Sequence, residues 1–539
     1  MKRITALVTL VLFAACSLDQ PREEIKVAKD EESGPVASAP PPAHPVPLSM
    51  PANEAVSRDV AAGLAGGSIA TYHATRMKSV IDFRTDPQYA QFADHGFKDT
   101  ARDPVTTFSI DVDRASYANV RRFLTANTMP PPDAVRIEEL VNYFTYDYPK
   151  PSGNDPFTVT TEVASCPWNA SSRLLRIGIQ GRNLEQWKMA PNNLVFLLDV
   201  SGSMRPPERL PLIKSAFALL VKQLRPEDKV SIVVYSGAAG LVLAPTSGAD
   251  KGAILGALDR LTAGGSTAGA AGIELAYRTA QDAFIRGGNN RVILATDGDF
   301  NVGVSSNDQL LSMIEEKRKS GIFLTTIGVG TDNYHDARME MLANKGNGNY
   351  SYLDDIKEAR KVFVSELTGT LVTIASDVKV QLEFDPATVA SYRQIGYENR
   401  ALANEDFDDD TKDAGELGAG HSVTALYEIV PASAARGRVA TLKLRYKDPA
   451  AETSRLITSV ATDTGRSIHE ASADLQFATA VAEFGMLLRG SKEKGTATYA
   501  GALALAKAAR GVDLDGTREE FIRMVETGRA LSRGVAAAD

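Results

Sequence analysis

Cysteine is almost absent from this chain: two in 539 residues, Cys16 and Cys166. Cys16 closes an N-terminal apolar segment, which leaves one thiol for the rest, so no internal disulfide framework is possible. Cys166 lies in a strand-like run before Pro167 with no base partner in sight, and it reads as a buried structural thiol rather than a nucleophile. Long hydrophobic runs are also missing, since nothing beyond the first residues approaches the roughly 18 apolar positions of a membrane helix. Positive charge is neither dominant nor concentrated. The 59 Lys and Arg stand against 67 Asp and Glu, a net charge of −8, and no basic block points to nucleic acid. Histidine is scarce at six. His44, His421 and His469 have no second ligand at metal spacing, so they read as solvated or structural.

What is present suffices for three or four domains with a large core. Residues 1–16, MKRITALVTLVLFAAC, combine Lys2 and Arg3 with an apolar stretch and small residues before Cys16, which is a secretory signal. Its end resembles a bacterial lipobox, departing from the usual pattern at Phe13. The resemblance implies lipidation of Cys16 and anchoring to a membrane. Ser17, rather than Asp, after the lipidated residue favours the outer membrane and its periplasmic side. Residues 17–100 are charged and then Pro/Ala-rich without apolar periodicity, the composition of a disordered tether.

The centre of the chain is Leu194 to Met204, LVFLLDVSGSM. Leu194 to Leu198 read as a strand buried on both faces, as at the middle of a parallel sheet. It runs into Asp199, Ser201 and Ser203, placing one carboxylate and two hydroxyls at the strand's carboxyl end, where open α/β sheets bind ligands. These hard oxygens suit Mg²⁺ or Mn²⁺. Two further loops supply partners. AGGST at 263–267 offers Thr267 before a helix-like run, and RVILAT at 291–296 is a second buried strand ending at Asp297. Strand and helix patterns alternate across 191–370, predicting an α/β fold: a mostly parallel sheet with helices on both faces.

Asp199, Ser201, Ser203, Thr267 and Asp297, in that order and each at a strand or helix end, resemble the metal-ion-dependent adhesion site of a von Willebrand factor type A domain. The segments FSIDVDRASYANVRRFL at 108–124, PPPDAVRIEELVNYF at 130–144 and GYENRALANEDFDDDTKDAGELGAGHSVTALYE at 396–428 resemble the flanks of YfbK-type bacterial lipoproteins. The resemblance implies hydroxyls that bind the ion directly, carboxylates that act through water, and an open position for a partner's carboxylate.

Around this centre, 101–190 reads as an N-terminal α+β extension, 371–450 as a β-rich, sandwich-like domain and 451–539 as a helical C-terminal region. If strands near 157–180 join those of 371–450, the type A domain is inserted into the β domain. Asp111 and Asp113 echo a metal motif without hydroxyl partners and are expected in a turn or cap. The acidic run from Glu405 to Glu416 does not match a calcium loop and is expected to be solvated.

The functional expectation is a membrane-anchored envelope lipoprotein, not an enzyme. It binds an acidic side chain of a protein ligand through Mg²⁺ or Mn²⁺, with no small-molecule substrate. An envelope scaffold with a purely structural metal is the alternative. A metal-dependent hydrolase ranks lower, because only Asp299 and the remote Glu208 could serve as base.

Overall fold

The computed structural model describes residues 89–110, 113–185, 189–265, 269–298, 307–331, 335–432, 436–449 and 451–536. The signal segment with Cys16, the tether as far as residue 88, and Asp111, Thr267 and Asp299 lie outside the described residues.

Alternate residues of a strand face opposite sides of a sheet, so a strand apolar in both registers belongs in the middle of a layered domain. Asn192–Asp199 is such a strand, buried along its whole length. It lies inside a six-stranded sheet in the order Tyr350–Tyr352, Ile322–Gly328, Asn289–Thr296, Asn192–Asp199, Lys229–Tyr235 and Ala239–Ser247. All pairings are parallel except the last. Helices cover both faces. Phe196 and Leu198 pack with Ile213 and Phe217 of the helix Leu210–Gln223 on one side. Val195 and Leu197 meet Ile273 and Tyr277 of the helix Gly269–Asp282 on the other. The α/β expectation holds. The short strand expected near 241–243 is a nine-residue antiparallel edge, and the closing helix expected near 355–370 is three pieces, with a π-helical turn at Lys361–Ser365.

The remaining strands form an antiparallel sandwich. Phe157–Ser165 and Arg173–Gly181, which precede the α/β domain, share a sheet with Ser422–Pro431 and Val389–Ile395, which follow it. The strand sets on either side of the α/β domain therefore do share a sheet, and that domain enters between Gly181 and Thr373. The opposing sheet joins Val105–Ser109 to Thr373–Phe384, Gly437–Lys447 and Ser454–Asp463. Phe108, Ile177, Val380, Tyr427 and Leu444 fill the space between the two sheets. On the outer side of the first sheet, Leu174 and Leu426 pack under the helices Ala473–Arg489, Tyr499–Ala508 and Thr517–Ala536.

Four sequence expectations need correction. Residues 89–100 are not tether, since Lys98–Asp99 pairs with the strand Val389–Ile395 and Asp94 pairs with Arg489 at 3.2 Å. Residues 101–190 are not a separate extension, since their strands belong to both sheets of the sandwich. The region 451–539 is not helical throughout, because Ser454–Asp463 is an edge strand. Its apolar residues are split between the faces: Ile457 and Ala461 pack inward with Ser459 and Asp463, while Leu456 and Val460 are about half exposed. Asp113 neither turns nor caps. It is buried, pairs with Arg400 at 3.1 Å and accepts a hydrogen bond from the Tyr350 amide at 2.8 Å. The acidic run keeps Glu405, Asp408, Asp409 and Asp413 exposed and adds surface ion pairs, Asp410 with Arg445 at 3.2 Å and Asp413 with Arg318 at 2.6 Å. Among the described residues, no group of three or more His, Cys, Asp and Glu side chains could hold a metal.

Buried ion pairs join the inserted domain to its host. Arg121 reaches Asp354 at 2.5 Å, Glu358 at 2.7 Å and, on the C-terminal helix, Glu520 at 2.9 Å. Arg136 pairs with its neighbour Glu139 and, across the junction, with Asp336, which also accepts a hydrogen bond from the Tyr350 hydroxyl at 2.7 Å. Arg136, Glu139 and Asp336 are almost fully buried, so removing the guanidinium strands two carboxylates away from water. Arg136→Met is expected to cost about 3–5 kcal/mol in urea unfolding. Adding Glu139→Leu and Asp336→Leu should recover much of that loss. A small effect of Arg136→Met alone would show that the junction does not depend on this cluster.

Candidate metal centre

The site begins where the central strand ends. Asp199 is its last residue and is completely buried, so its carboxylate must be satisfied from within the protein. Its Oδ1 accepts the Ser201 amide at 2.8 Å, which bends the chain into the serine turn. Its Oδ2 accepts the Thr296 hydroxyl at 3.1 Å and the Tyr235 hydroxyl at 3.3 Å, from the strands on either side. Burial pushes the Asp199 carboxyl above its ordinary range. The bonds from Ser201 oppose that rise, and the neighbouring Asp297 carboxylate adds to it.

The turn then presents two hydroxyls. Ser201 Oγ and Ser203 Oγ lie 3.0 Å apart. Ser201 is buried, whereas Ser203 is exposed, so the pair faces solvent on one side. Adjacent ligands of an octahedral Mg²⁺ with bonds of 2.0–2.1 Å stand about 2.9 Å apart, and the serine spacing fits that edge. The second loop is tied onto the first by main-chain bonds, Gly264 N to Val200 O at 2.7 Å and Gly202 N to Gly265 O at 3.0 Å. Gly265 has φ +87°, and a Cβ there would come within 2.4 Å of Ser236 Oγ, so only glycine lets the loop lie this close. Thr267, two residues on, lies outside the described residues. Asp297 follows the strand Asn289–Thr296 directly, is buried, and pairs with Arg209 at 2.7 Å.

Four of the five expected residues are thus described, all at the carboxyl end of the parallel sheet. The donor set is hydroxyl-rich with two carboxylates, which suits a hard divalent cation. Thr296, Tyr235 and Arg209 were not anticipated. Thr296 and Tyr235 end the two strands flanking Asp199, a relation that needs the strand order. Arg209 sits just before a helix and gives no sequence signal. Glu208 is exposed. Cys166 is buried, and burial pushes its thiol far above the ordinary range, which keeps it an inert thiol.

Comparison with known proteins agrees with the fold. A family model described as von Willebrand factor type A domain matches residues 193–364, and one described as von Willebrand factor matches 84–176. The fold and the matches define a protein built around a type A domain, a class of interaction and adhesion modules. A third model, described as Uncharacterized protein YfbK, C-terminal, matches 369–439 and 432–531. The chain is 44% identical over 465 residues to the uncharacterized protein YfbK of Escherichia coli (strain K12), covering 81% of this chain and 80% of that one. It therefore belongs to the YfbK-like family of type A domain proteins. It is also 30% identical over 196 residues to the uncharacterized protein sll0103 of Synechocystis sp., covering 36% of this chain and 45% of the relative. Among solved structures, a von Willebrand factor type A protein from Catenulispora acidiphila is 16% identical, covering 71% of this chain and 91% of its own, at a TM-score of 0.42.

The hydroxyl of Thr296 holds Asp199 and also accepts a hydrogen bond from the Gly298 amide at 3.2 Å. Groups that orient a metal's ligands typically change affinity by about 10–100-fold when lost. Thr296→Val should weaken Mg²⁺ binding within that range in a calorimetric titration, with the fold intact. Unchanged affinity would mean that Asp199 needs no such support.

Proposed function

We propose that this protein captures a protein partner through a divalent cation, Mg²⁺ or Mn²⁺, held by Asp199, Ser201, Ser203, Thr267 and Asp297. The supporting observation is the serine turn. Its two hydroxyls stand at the spacing of adjacent Mg²⁺ ligands, and they project from a carboxylate fixed by three donors. When bound, the ion supplies a Lewis-acidic centre that accepts an anionic oxygen. The protein's own residues do the rest. Asp199 and Asp297 provide the compensating charge from behind. The serines contribute neutral oxygens, which leave the ion short of negative charge, and exposed Ser203 marks the open side. A carboxylate from an Asp or Glu of the partner completes the coordination, so the chemistry is recognition rather than turnover.

In this reading Cys16 carries the lipid anchor and the segment from Ser17 up to Tyr89 forms the tether, because residues 89–100 pack onto the sandwich. Together they hold the binding domain off a membrane of the bacterial envelope, with the periplasmic face of the outer membrane favoured. A pull-down from envelope extract with the full chain tests the reading, comparing Mg²⁺ with EDTA and wild type with Asp199→Ala. A partner retained only by wild type in Mg²⁺ is expected. The same partners under all conditions would support a scaffold with an incidental ion, and turnover of an envelope substrate lost in Asp199→Ala would support a hydrolase.

A further inference from the structure

We infer that Arg209 is the built-in counter-cation of the metal centre, offsetting the charge of Asp297 and so setting how tightly the ion binds. The inference rests on the metal-dependent reading above. Arg209 is buried at the back of the serine turn, one residue before the helix Leu210–Gln223. Its Nη1 donates to Asp297 Oδ2 at 2.7 Å and to the main-chain oxygen of Ser203 at 2.9 Å. One guanidinium nitrogen therefore bridges two elements of the site, the turn after the central strand and the end of its neighbour. Gly330, beyond the strand Ile322–Gly328, closes the other side. It has φ +84°, and a Cβ there would lie 2.6 Å from Arg209 Nε. The guanidinium is thus wedged by backbone as well as by its charged partner.

Charge count decides what this does. Asp199 and Asp297 alone would offer a divalent cation two full negative charges. The Arg209 guanidinium paired with Asp297 offsets one of them and occupies one of its two carboxylate oxygens. Oxygen-ligand sites tune their affinity by the number of charged ligands they present. The arrangement trades affinity for the ion against the ion's remaining pull on an external carboxylate.

A role of this kind differs in sign from a merely structural one. Loss of a structural support loosens a site, whereas loss of a counter-cation tightens ion binding. The test is a Mn²⁺ titration of the full chain followed by electron paramagnetic resonance, comparing wild type, Arg209→Gln and Arg209→Lys, each checked for folding by near-ultraviolet circular dichroism. Arg209→Gln is expected to lower the Mn²⁺ Kd by about tenfold, while Arg209→Lys, which keeps the charge, stays within about threefold of wild type. Gly330→Ala, which crowds the guanidinium while retaining Arg209, should move affinity in the direction of Arg209→Gln and serves if the glutamine variant does not fold. Equal or weaker Mn²⁺ binding by folded Arg209→Gln would overturn the assignment of Arg209 while leaving the metal reading standing. Absence of Mn²⁺ binding in wild type would overturn the metal reading itself, and the assignment with it.

Discussion

A fully buried carboxylate at the end of a fully buried strand is the constraint around which this protein is arranged. Asp199 cannot be left in an apolar interior without donors, because an unpaired charge there costs far more than a hydrogen bond returns. The fold meets that requirement from three directions: the amide of the following turn and hydroxyls from the strands on both sides. Each donor also fixes something else. The amide sets the serine turn, Tyr235 and Thr296 lock the ends of the flanking strands, and the turn in turn holds the loop that leads to Thr267. The strand order of the parallel sheet is thus part of the site's chemistry, and the carboxyl end of the sheet is where these dipoles and hydroxyls converge.

The second constraint is insertion. The α/β domain leaves and re-enters an antiparallel sandwich at Gly181 and Thr373, and buried guanidinium groups span the junction. Arg121 alone binds carboxylates from the inserted domain and from the C-terminal helix. Such pairs contribute little net stability compared with apolar packing, but they are demanding in geometry and penalise any other docking. The metal centre lies away from this junction in chain position. Yet Gly330, which wedges Arg209, has its carbonyl bound by the Tyr352 hydroxyl at 2.6 Å, and the Arg122 guanidinium lies over the Tyr352 ring at 5.4 Å. A continuous set of contacts therefore runs from the site to the host domain's first helix, Ala115–Thr125.

Much of this was legible in the sequence. The central strand announced itself through apolar residues in both registers, and Asp199, Ser201, Ser203 and Asp297 through their position at strand ends. Insertion was legible from alternating strands on either side of the α/β pattern. What was not legible depends on tertiary neighbours. Thr296 and Tyr235 become site residues only once their strands flank Asp199. Arg136, Glu138 and Glu139 look like an exposed charged helix start and are buried, because the inserted domain and the sandwich close over them. Ser454–Asp463 carries apolar residues on both faces, Ile457 and Ala461 inward and Leu456 and Val460 outward, so no alternation marked the strand.

The central claim is that a hard cation sits on the serine turn between the two carboxylates, and a crystal grown with Mn²⁺ and measured at the manganese absorption edge tests it most directly. The expected result is one strong anomalous peak bound to the Ser201 and Ser203 hydroxyls, with Asp199 and Asp297 close behind it, and no such peak in Asp199→Ala. A map without a peak there, or with manganese held elsewhere on the chain, would contradict it.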